Sequence, residues 1–385
     1  MSDQRGVAIV WPVAANTGGV ELIAREALEY FATRRPTTFV GTSMSPRVHG
    51  IRHLAVPAGS GHVRRPVGFR VRSQRALRSL SSDDVVVSMG ANCAPGQVRW
   101  VHSVHAAYLR LPGRMHVGPV QVSARWRRAL PRHRALLALE RDYFRRHPPA
   151  QVLATSEQER ADLVELYGVE DEAIHVVGNG YNPHRFSAEH RTRFREQIRD
   201  RLGVRPDQLS VLFAANELHR KGFMVLLRAL RLLRSENVRV DVVGRADPAG
   251  LVAAARSDGW VPDVHWHGTT PAIEDFYAAA DAMVLPTYYE PFGLVIVEAL
   301  ATGLPVVTTR TAGASPYVTA DCGRVQEDPE SAEELAEILR GFLEPSVLAS
   351  ASSAAPAAVR KLEWPAVLGR VEKLIYVKAG SEATR

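Results

Sequence analysis

The sequence predicts an α/β protein of two doubly wound parallel-sheet domains, and three observations carry that prediction. The 385 residues exceed what one ordinary hydrophobic core organises. Short apolar runs alternate with amphipathic stretches at helical spacing, the order that buries a parallel sheet between two helix layers. The alternation stops at an Asn179-Gly180 turn followed by Pro183, and then begins again.

In the first half, strands are expected over residues 7–13 (VAIVWPV), 38–41, 85–89, 100–103, 151–154 and 174–177. Helices are expected over 20–33, 70–80, 122–146 and 157–167, the last opened by a Ser156-Glu157-Gln158-Glu159 capping box. Residues 43–69, rich in Pro, Gly, His and Arg, read as a long surface loop with a short strand near Leu54. After the turn come a charged helix over 188–202 and a strand over 211–214. A helix over 223–233, strands over 238–243 and 264–267, and a helix over 273–280 follow. The domain boundary falls at about 180–187, giving domains 1–183 and 184–363. Val367, Val371, Leu374 and Ile375 make an amphipathic helix of the tail, 364–378.

Composition narrows the class. With 46% hydrophobic and 23% charged residues the chain reads as globular, and no segment reaches the roughly 18 apolar residues of a membrane span. The N-terminus enters a strand directly, so no signal peptide is expected. Cys93 and Cys322 lie far apart without metal-ligand spacing, which favours a reducing, cytoplasmic setting. Charge is uneven: between residues 34 and 146 there are 21 arginines against Asp83, Asp84, Glu140 and Asp142, a balance of +17. A GC-rich genome explains arginine over lysine but not the scarcity of acids. The surplus points to an anionic acceptor or an anionic membrane surface, with the protein peripheral on the inner face of the cytoplasmic membrane. No recognised nucleic-acid module accompanies the charge, so no nucleic-acid partner is expected.

The stretch from Ala282 to Thr308, AMVLPTYYEPFGLVIVEALATGLPVVT, is the most informative part of the chain. A strand over 282–285 runs into a loop, a helix opens near Gly293 and ends at Gly303, and Pro305 starts the next strand. Such a unit aims the free N–H groups of a helix N-terminus beyond the strand ends, where anions bind. Glu290 and Glu298, eight positions apart, flank that spot and can accept hydrogen bonds from hydroxyls. A phosphate with polyhydroxylated groups on either side satisfies both demands, and a nucleotide-sugar is such a ligand.

The string Glu290-Pro-Phe-Gly, four residues, then Glu298-Ala-Leu-Ala-Thr-Gly303-Leu-Pro305 resembles the signature of the family-4 retaining glycosyltransferases of GT-B architecture. The resemblance implies two facing Rossmann-like domains with a cleft between them, the tail helix packing back on the first. It gives Glu290 to the hydroxyls of the transferred sugar and Glu298 to the ribose. Phe292, Gly293, Leu294 and Val295 would offer main-chain N–H groups to the donor. His219-Arg220-Lys221-Gly222 resembles the family's phosphate-binding segment, although Asn216-Glu217 stand where many relatives have Gly-Arg. Fixed cations at Lys221 and Arg220 would stabilise the charge of a departing diphosphate. In the other domain, Gly18 and Gly19 permit close backbone approach to the donor diphosphate, and the family carries a donor-sugar histidine where His105 stands. His102, three positions earlier, leaves that choice open at the level of spacing. The sequence contains no Asp-x-Asp, so no metal is expected, and no cofactor beyond the nucleotide-sugar co-substrate.

Within the family, the ERDYFRRHPPAQVLATSEQER segment and the NGYNP linker look most like the branch that starts the outer core of bacterial lipopolysaccharide. That implies a hexose, glucose from UDP-glucose, moved to an anionic glycolipid or phosphorylated sugar. A natural-product glycosyltransferase with a soluble acceptor is the alternative. A sugar phosphorylase and a non-catalytic sugar-nucleotide-binding protein are further rivals. The residues themselves do not name base, sugar or acceptor.

Overall fold

The computed structural model describes residues 5–377 apart from 17, 58, 62, 112–113, 118–119, 148 and 257–258; the side chains of 114–117, 120–125, 127 and 377 also lie outside the description. Thr17 of the glycine loop, Lys378 and the side chains of Arg114, Arg125 and Arg127 therefore fall outside the described residues. Two compact units form, Met1–Asn179 with Trp364–Arg385, and Gly180–Glu363.

The first unit is built on a parallel sheet of seven strands. Their order is Ile174–Val176, Gln151–Ala154, Val98–Trp100, Val85–Ser88, Val7–Val10, Thr37–Gly41 and Ile51–Ala55. The inner strands are buried along their whole length, as sheets covered on both faces require. Val7 pairs in register with Thr37 on one side and Val85 on the other. The helix Val20–Ala32 buries Ile23, Ala24, Ala27, Leu28 and Phe31, one face at helical spacing. The tail helix Trp364–Val377 returns to this unit: Tyr30 and Arg35 donate to Glu372 at 3.0 and 2.8 Å, and Arg35 lies over the Tyr376 ring.

Three local expectations are corrected here, two of them by a proline. Pro12 cannot continue the ladder, so the 7–13 strand divides into Val7–Val10 and a separate Val13–Ala15 paired with Ser43–Ser45. The short strand expected near Leu54 is present as Ile51–Ala55, but the 43–69 segment also contains Ser43–Ser45 and the start of a helix, Arg64–Leu77, where loop was expected. Pro66 stands in that helix's first turn, where a missing N–H costs nothing. The single helix expected over 122–146 is interrupted before Pro131, because Leu130 is forced to extended geometry. Ala124–Ala129, Pro131–Arg141 and a π-helical turn Asp142–Arg146 result.

The second unit carries six parallel strands in the order Asp263–Trp266, Val238–Val243, Leu209–Ala214, Ala282–Leu285, Val306–Thr309 and Gly323–Gln326. Its charged helix Ala188–Leu202 docks through arginine. Arg191, Arg195 and Arg199, one turn apart, donate to the carbonyls of residues 277–280 at the end of the helix Ile273–Ala279, and the last two also pair with Asp281. Those carbonyls are the unsatisfied, negative end of that helix. Helices Ala332–Gly341 and Pro345–Val359 complete the unit. The second keeps Pro356 inside it and was masked in the sequence by an Ala-Ser run.

Each sheet has one place where the chain switches from building outward on one side to building on the other. In the first unit it lies between Val7–Val10 and Val85–Ser88, in the second between Leu209–Ala214 and Ala282–Leu285. Ligands of open α/β sheets bind beyond the strand carboxyl ends at such switch points.

Candidate functional site

Beyond the strand Leu209–Ala214 the chain runs through residues 215–221 to Gly222, at φ +79°, which caps the helix Phe223–Leu232. A Cβ on Gly222 would stand 1.9 Å from the Pro286 carbonyl oxygen, so only glycine lets this turn lie against the loop after Ala282–Leu285. That loop is stitched on both sides. The Arg220 carbonyl accepts from Tyr288 N and Thr287 Oγ1 at 2.9 and 3.2 Å, and the Thr287 carbonyl accepts from Thr309 and Thr311 hydroxyls at 2.6 and 2.7 Å. Glu290 itself is fixed by main-chain bonds, its N–H to the Thr311 carbonyl and its carbonyl from Gly313 N.

This stitching brings three of the expected residues together. The Lys221 ammonium sits on Glu290 Oε2, and Arg220 Nη1 lies 3.9 Å from the same oxygen. Arg220 also donates to the Tyr289 carbonyl and pairs with Glu217 at 3.1 Å. Burial first, then the Arg220 guanidinium, pushes Lys221 well below the ordinary lysine range. The Glu217 carboxylate opposes that shift, and a phosphate dianion against Nζ would oppose it more strongly.

Gly293, at φ +102°, caps the helix Leu294–Ala301; a Cβ there would meet Ile296 Cδ1 at 2.9 Å and Glu290 Cγ at 3.2 Å. The first turn, at Leu294 and Val295, leaves N–H groups without intrahelical acceptors. Phe292 is buried with its ring edge-on to Tyr317. Glu298 is on the same helix but buried, accepting from Tyr277 Oη at 2.9 Å, and burial raises its carboxyl to about 7.

In the first unit, His105 opens the short helix His105–Tyr108. Its Nε2 lies 2.9 Å from Nδ1 of His133, with the rings stacked at 5.0 Å. Burial, then His133 and Arg132, lowers the imidazole to about 4, so it is neutral at pH 7. His102 is buried beside Trp100, and burial takes it to about 3. Gly18, at φ +94°, has Glu21 Oε2 folded back to 2.5 Å from where a Cβ would stand, and Gly19 caps the helix Val20–Ala32.

The sequence reading missed Glu140. This buried carboxylate accepts from the main-chain N–H groups of His105 (2.5 Å) and Ala106 (3.1 Å) and from Tyr167 Oη. It therefore caps the turn that carries His105, and burial raises it to about 7. The signal was present: an acid on the apolar face of RALLALER is out of place unless it has donors to satisfy.

Known proteins resemble the chain over most of its length. Residues 17–185 match the model of Glycosyltransferase Family 4, and 194–355 match that of Glycosyl transferases group 1. The lipopolysaccharide glucosyltransferase WaaG of Escherichia coli (strain K12) is 32% identical over 221 residues, 56% of this chain and 59% of that protein. The D-inositol 3-phosphate glycosyltransferase of Xylanimonas cellulosilytica is 34% identical over 226 residues, 55% of this chain and 53% of that protein. The chain thus spans between half and three fifths of these relatives' length. The crystal structure of WaaG, a glycosyltransferase involved in lipopolysaccharide biosynthesis, covers 96% of this chain and 99% of its own with a TM-score of 0.81 at 24% identity. Anabaena HepE in complex with UDP-glucose covers 96% and 99% with a TM-score of 0.72 at 18% identity. With both sheets, the glutamate pair and the lysine turn in place, the chain belongs to the family-4 glycosyltransferases of GT-B architecture.

Proposed function

We propose that the protein transfers a hexose, glucose in the favoured reading, from a nucleotide-diphosphate sugar to a hydroxyl of an anionic acceptor, with retention of configuration and without a metal. One observation carries the reading: Lys221, Arg220 and Glu290 meet at the switch point of the second sheet, beside the N-terminus of Leu294–Ala301. As the bond from sugar C1 to the diphosphate oxygen breaks, its electron pair leaves with the diphosphate. Lys221, Arg220 and the helix N-terminus stabilise that charge, which is larger in the transition state than in the ground state. The acceptor oxygen forms the new bond to C1 on the same face and gives its proton to the departing phosphate oxygen. Glu290 holds hydroxyls of the hexose, Glu298 those of the ribose, and neutral His105 a further hydroxyl of the hexose. Gly18 and Gly19 let main chain approach the diphosphate. With no Asp-x-Asp in the sequence, these cations take the place of a chelated metal.

The HepE complex with UDP-glucose supports a nucleotide-sugar donor, and the relatives' names support acceptors such as a lipopolysaccharide or an inositol phosphate. A soluble natural-product acceptor is the alternative. A panel of UDP-, GDP- and ADP-sugars scored by thermal shift and then by transfer tests the reading, because a ligand stabilises only the fold that binds it. A protein that no nucleotide or nucleotide-sugar stabilises would contradict it.

Peripheral association with an anionic membrane belongs to the same proposal. No helix among the described residues is long and apolar enough to cross a membrane. Val63, Val67 and Val71, exposed by 37%, 39% and 48%, follow each other at four-residue spacing on or next to the helix Arg64–Leu77. Arg64, Arg75 and Arg78 share that sector, the arrangement of an interfacial helix on anionic lipid. Paired Val67→Glu and Val71→Glu substitutions should abolish sedimentation with anionic vesicles; unchanged sedimentation would remove the membrane from the proposal.

A further inference from the structure

His133 is the third residue of the helix Pro131–Arg141, and Glu140 comes two turns later on the same face. Both are buried, 8% and 4% exposed, and both reach the turn His105–Tyr108. Glu140 holds the main-chain N–H groups of His105 and Ala106. His133 holds the ring: its Nδ1 lies 2.9 Å from His105 Nε2, with the ring planes 21° apart. The Tyr108 ring lies along the same imidazole, its centroid 5.8 Å away and its plane 28° off. One helix face thus fixes both the backbone and the side chain of His105.

A hydrogen bond between two neutral imidazoles holds one proton. A positive charge is disfavoured on both rings. His105 is buried and feels Arg132, and a charge on His133 would stand beside Arg132 at the positive end of a helix. Two proton arrangements then remain. If His105 donates, both rings carry their proton on Nε2, the more stable neutral form of a histidine side chain. If His133 donates, both must carry it on Nδ1. The helix acts in the same direction as this intrinsic preference. The N–H groups of its first turn favour a lone pair on the nearby His133 Nδ1 over another N–H.

We propose that His133 is a positioning residue that holds His105 in the Nε2–H form, leaving Nδ1 as a lone pair that accepts from a hydroxyl of the donor sugar; this rests on the glycosyltransferase reading above. A nitrogen that can only accept selects by chemistry. It takes a hydrogen from a hydroxyl and gains nothing from a deoxy position. Fluorine, or the carboxylate of a uronic acid, would turn its own lone pairs on Nδ1 and be repelled. The pair therefore makes the site choose a neutral hexose over a hexuronate.

Two measurements on the full chain test this. Long-range proton–nitrogen correlation spectra of the unliganded, histidine-labelled protein, assigned by the signals lost in His105→Gln, should show His105 protonated at Nε2. In His133→Leu the ring should exchange between both forms. In His133→Asn, whose side-chain carbonyl still accepts, the Nε2–H form should return. Transfer is then measured with the UDP-hexose that the protein uses and with its monodeoxy and monofluoro analogues, each hydroxyl except the one beside C1 replaced in turn. At one position kcat/KM should fall at least about tenfold on either replacement, with fluorine no better than hydrogen. His133→Leu should lower kcat about tenfold and shrink that ratio several-fold with UDP affinity unchanged, and His133→Asn should restore both. His105 protonated at Nδ1, fluorine preferred to hydrogen at that position, or a ratio that survives His133→Leu overturns the assignment. A folded protein that binds no nucleotide-sugar would instead overturn the glycosyltransferase reading, and the spectra of the unliganded chain would still decide the role of His133.

Discussion

Glu290→Gln is expected to tighten binding of UDP while lowering transfer. In the unliganded protein the Glu290 carboxylate sits on Lys221 and near Arg220, so an incoming diphosphate must take both cations from an anion already there. The Lys221 and Glu290 side chains are 9% and 17% exposed. The pair thus stands between surface ion pairs, worth about 0–1 kcal/mol, and buried ones, whose truncation costs about 3–5 kcal/mol. Displacing Glu290 therefore costs about 1–2 kcal/mol, and abolishing that cost lowers the Kd for UDP by about 5- to 30-fold. Transfer moves the other way, because glutamine loses the charge-assisted bonds to the hexose hydroxyls, and a fall in kcat of about a hundredfold is expected. Calorimetric titration of UDP, alongside steady-state kinetics, reads both quantities. Because an anion beside Lys221 raises its depressed pKa, UDP binding should also take up protons, seen as a buffer-dependent heat. Equal UDP affinity in both proteins would refute the competition, and weaker affinity in the variant would place Glu290 on the nucleotide.

Lys221→Ala should lower kcat at least about tenfold with the fold intact; an unchanged kcat would pass the diphosphate to Arg220 alone, to be checked in the Arg220/Lys221 double variant. Activity should persist in excess chelator and ignore magnesium or manganese, whereas loss that either ion reverses would make Glu290 and Glu298 candidate ligands. Glu140→Gln tests the cap beneath His105. Raised from 4.5 to about 7, Glu140 keeps its proton in the folded protein where the unfolded chain has lost it. Its contribution is therefore fully present below about pH 4.5 and is lost as pH rises through 7, by about 3 kcal/mol at about 1.4 kcal/mol per unit. Denaturant unfolding between pH 5 and 8 should show a shallower decline in the variant, with kcat reduced and UDP affinity unchanged. An identical pH slope would show that Glu140 does not titrate there.

The second unit was the more legible half. Its central strands Leu209–Ala214 and Ala282–Leu285 are mostly apolar, and Gly222 and Gly293 stand where the main chain must approach Pro286 or turn at positive φ, constraints that single residues express. The first unit hid more, because prolines cut its elements. Pro12 split one strand and Pro131 one helix, while Pro66 sat inside a helix that its composition disguised as loop. The glutamates were visible as a motif, but their different settings were not. Glu290 on Lys221 and Glu298 under Tyr277 differ through contacts with residues distant in sequence. The arginine excess was equally ambiguous until partners were seen. Arg99 and Arg70 serve the interior, and Arg65 and Arg132 line a cavity.

A crystal structure of the protein with UDP tests the central claim most directly. The account predicts phosphate oxygens about 3 Å from Lys221 Nζ and from a main-chain N–H at the start of Leu294–Ala301, with the Glu290 carboxylate released from the lysine. A diphosphate bound elsewhere, with the Lys221–Glu290 pair intact, would contradict it.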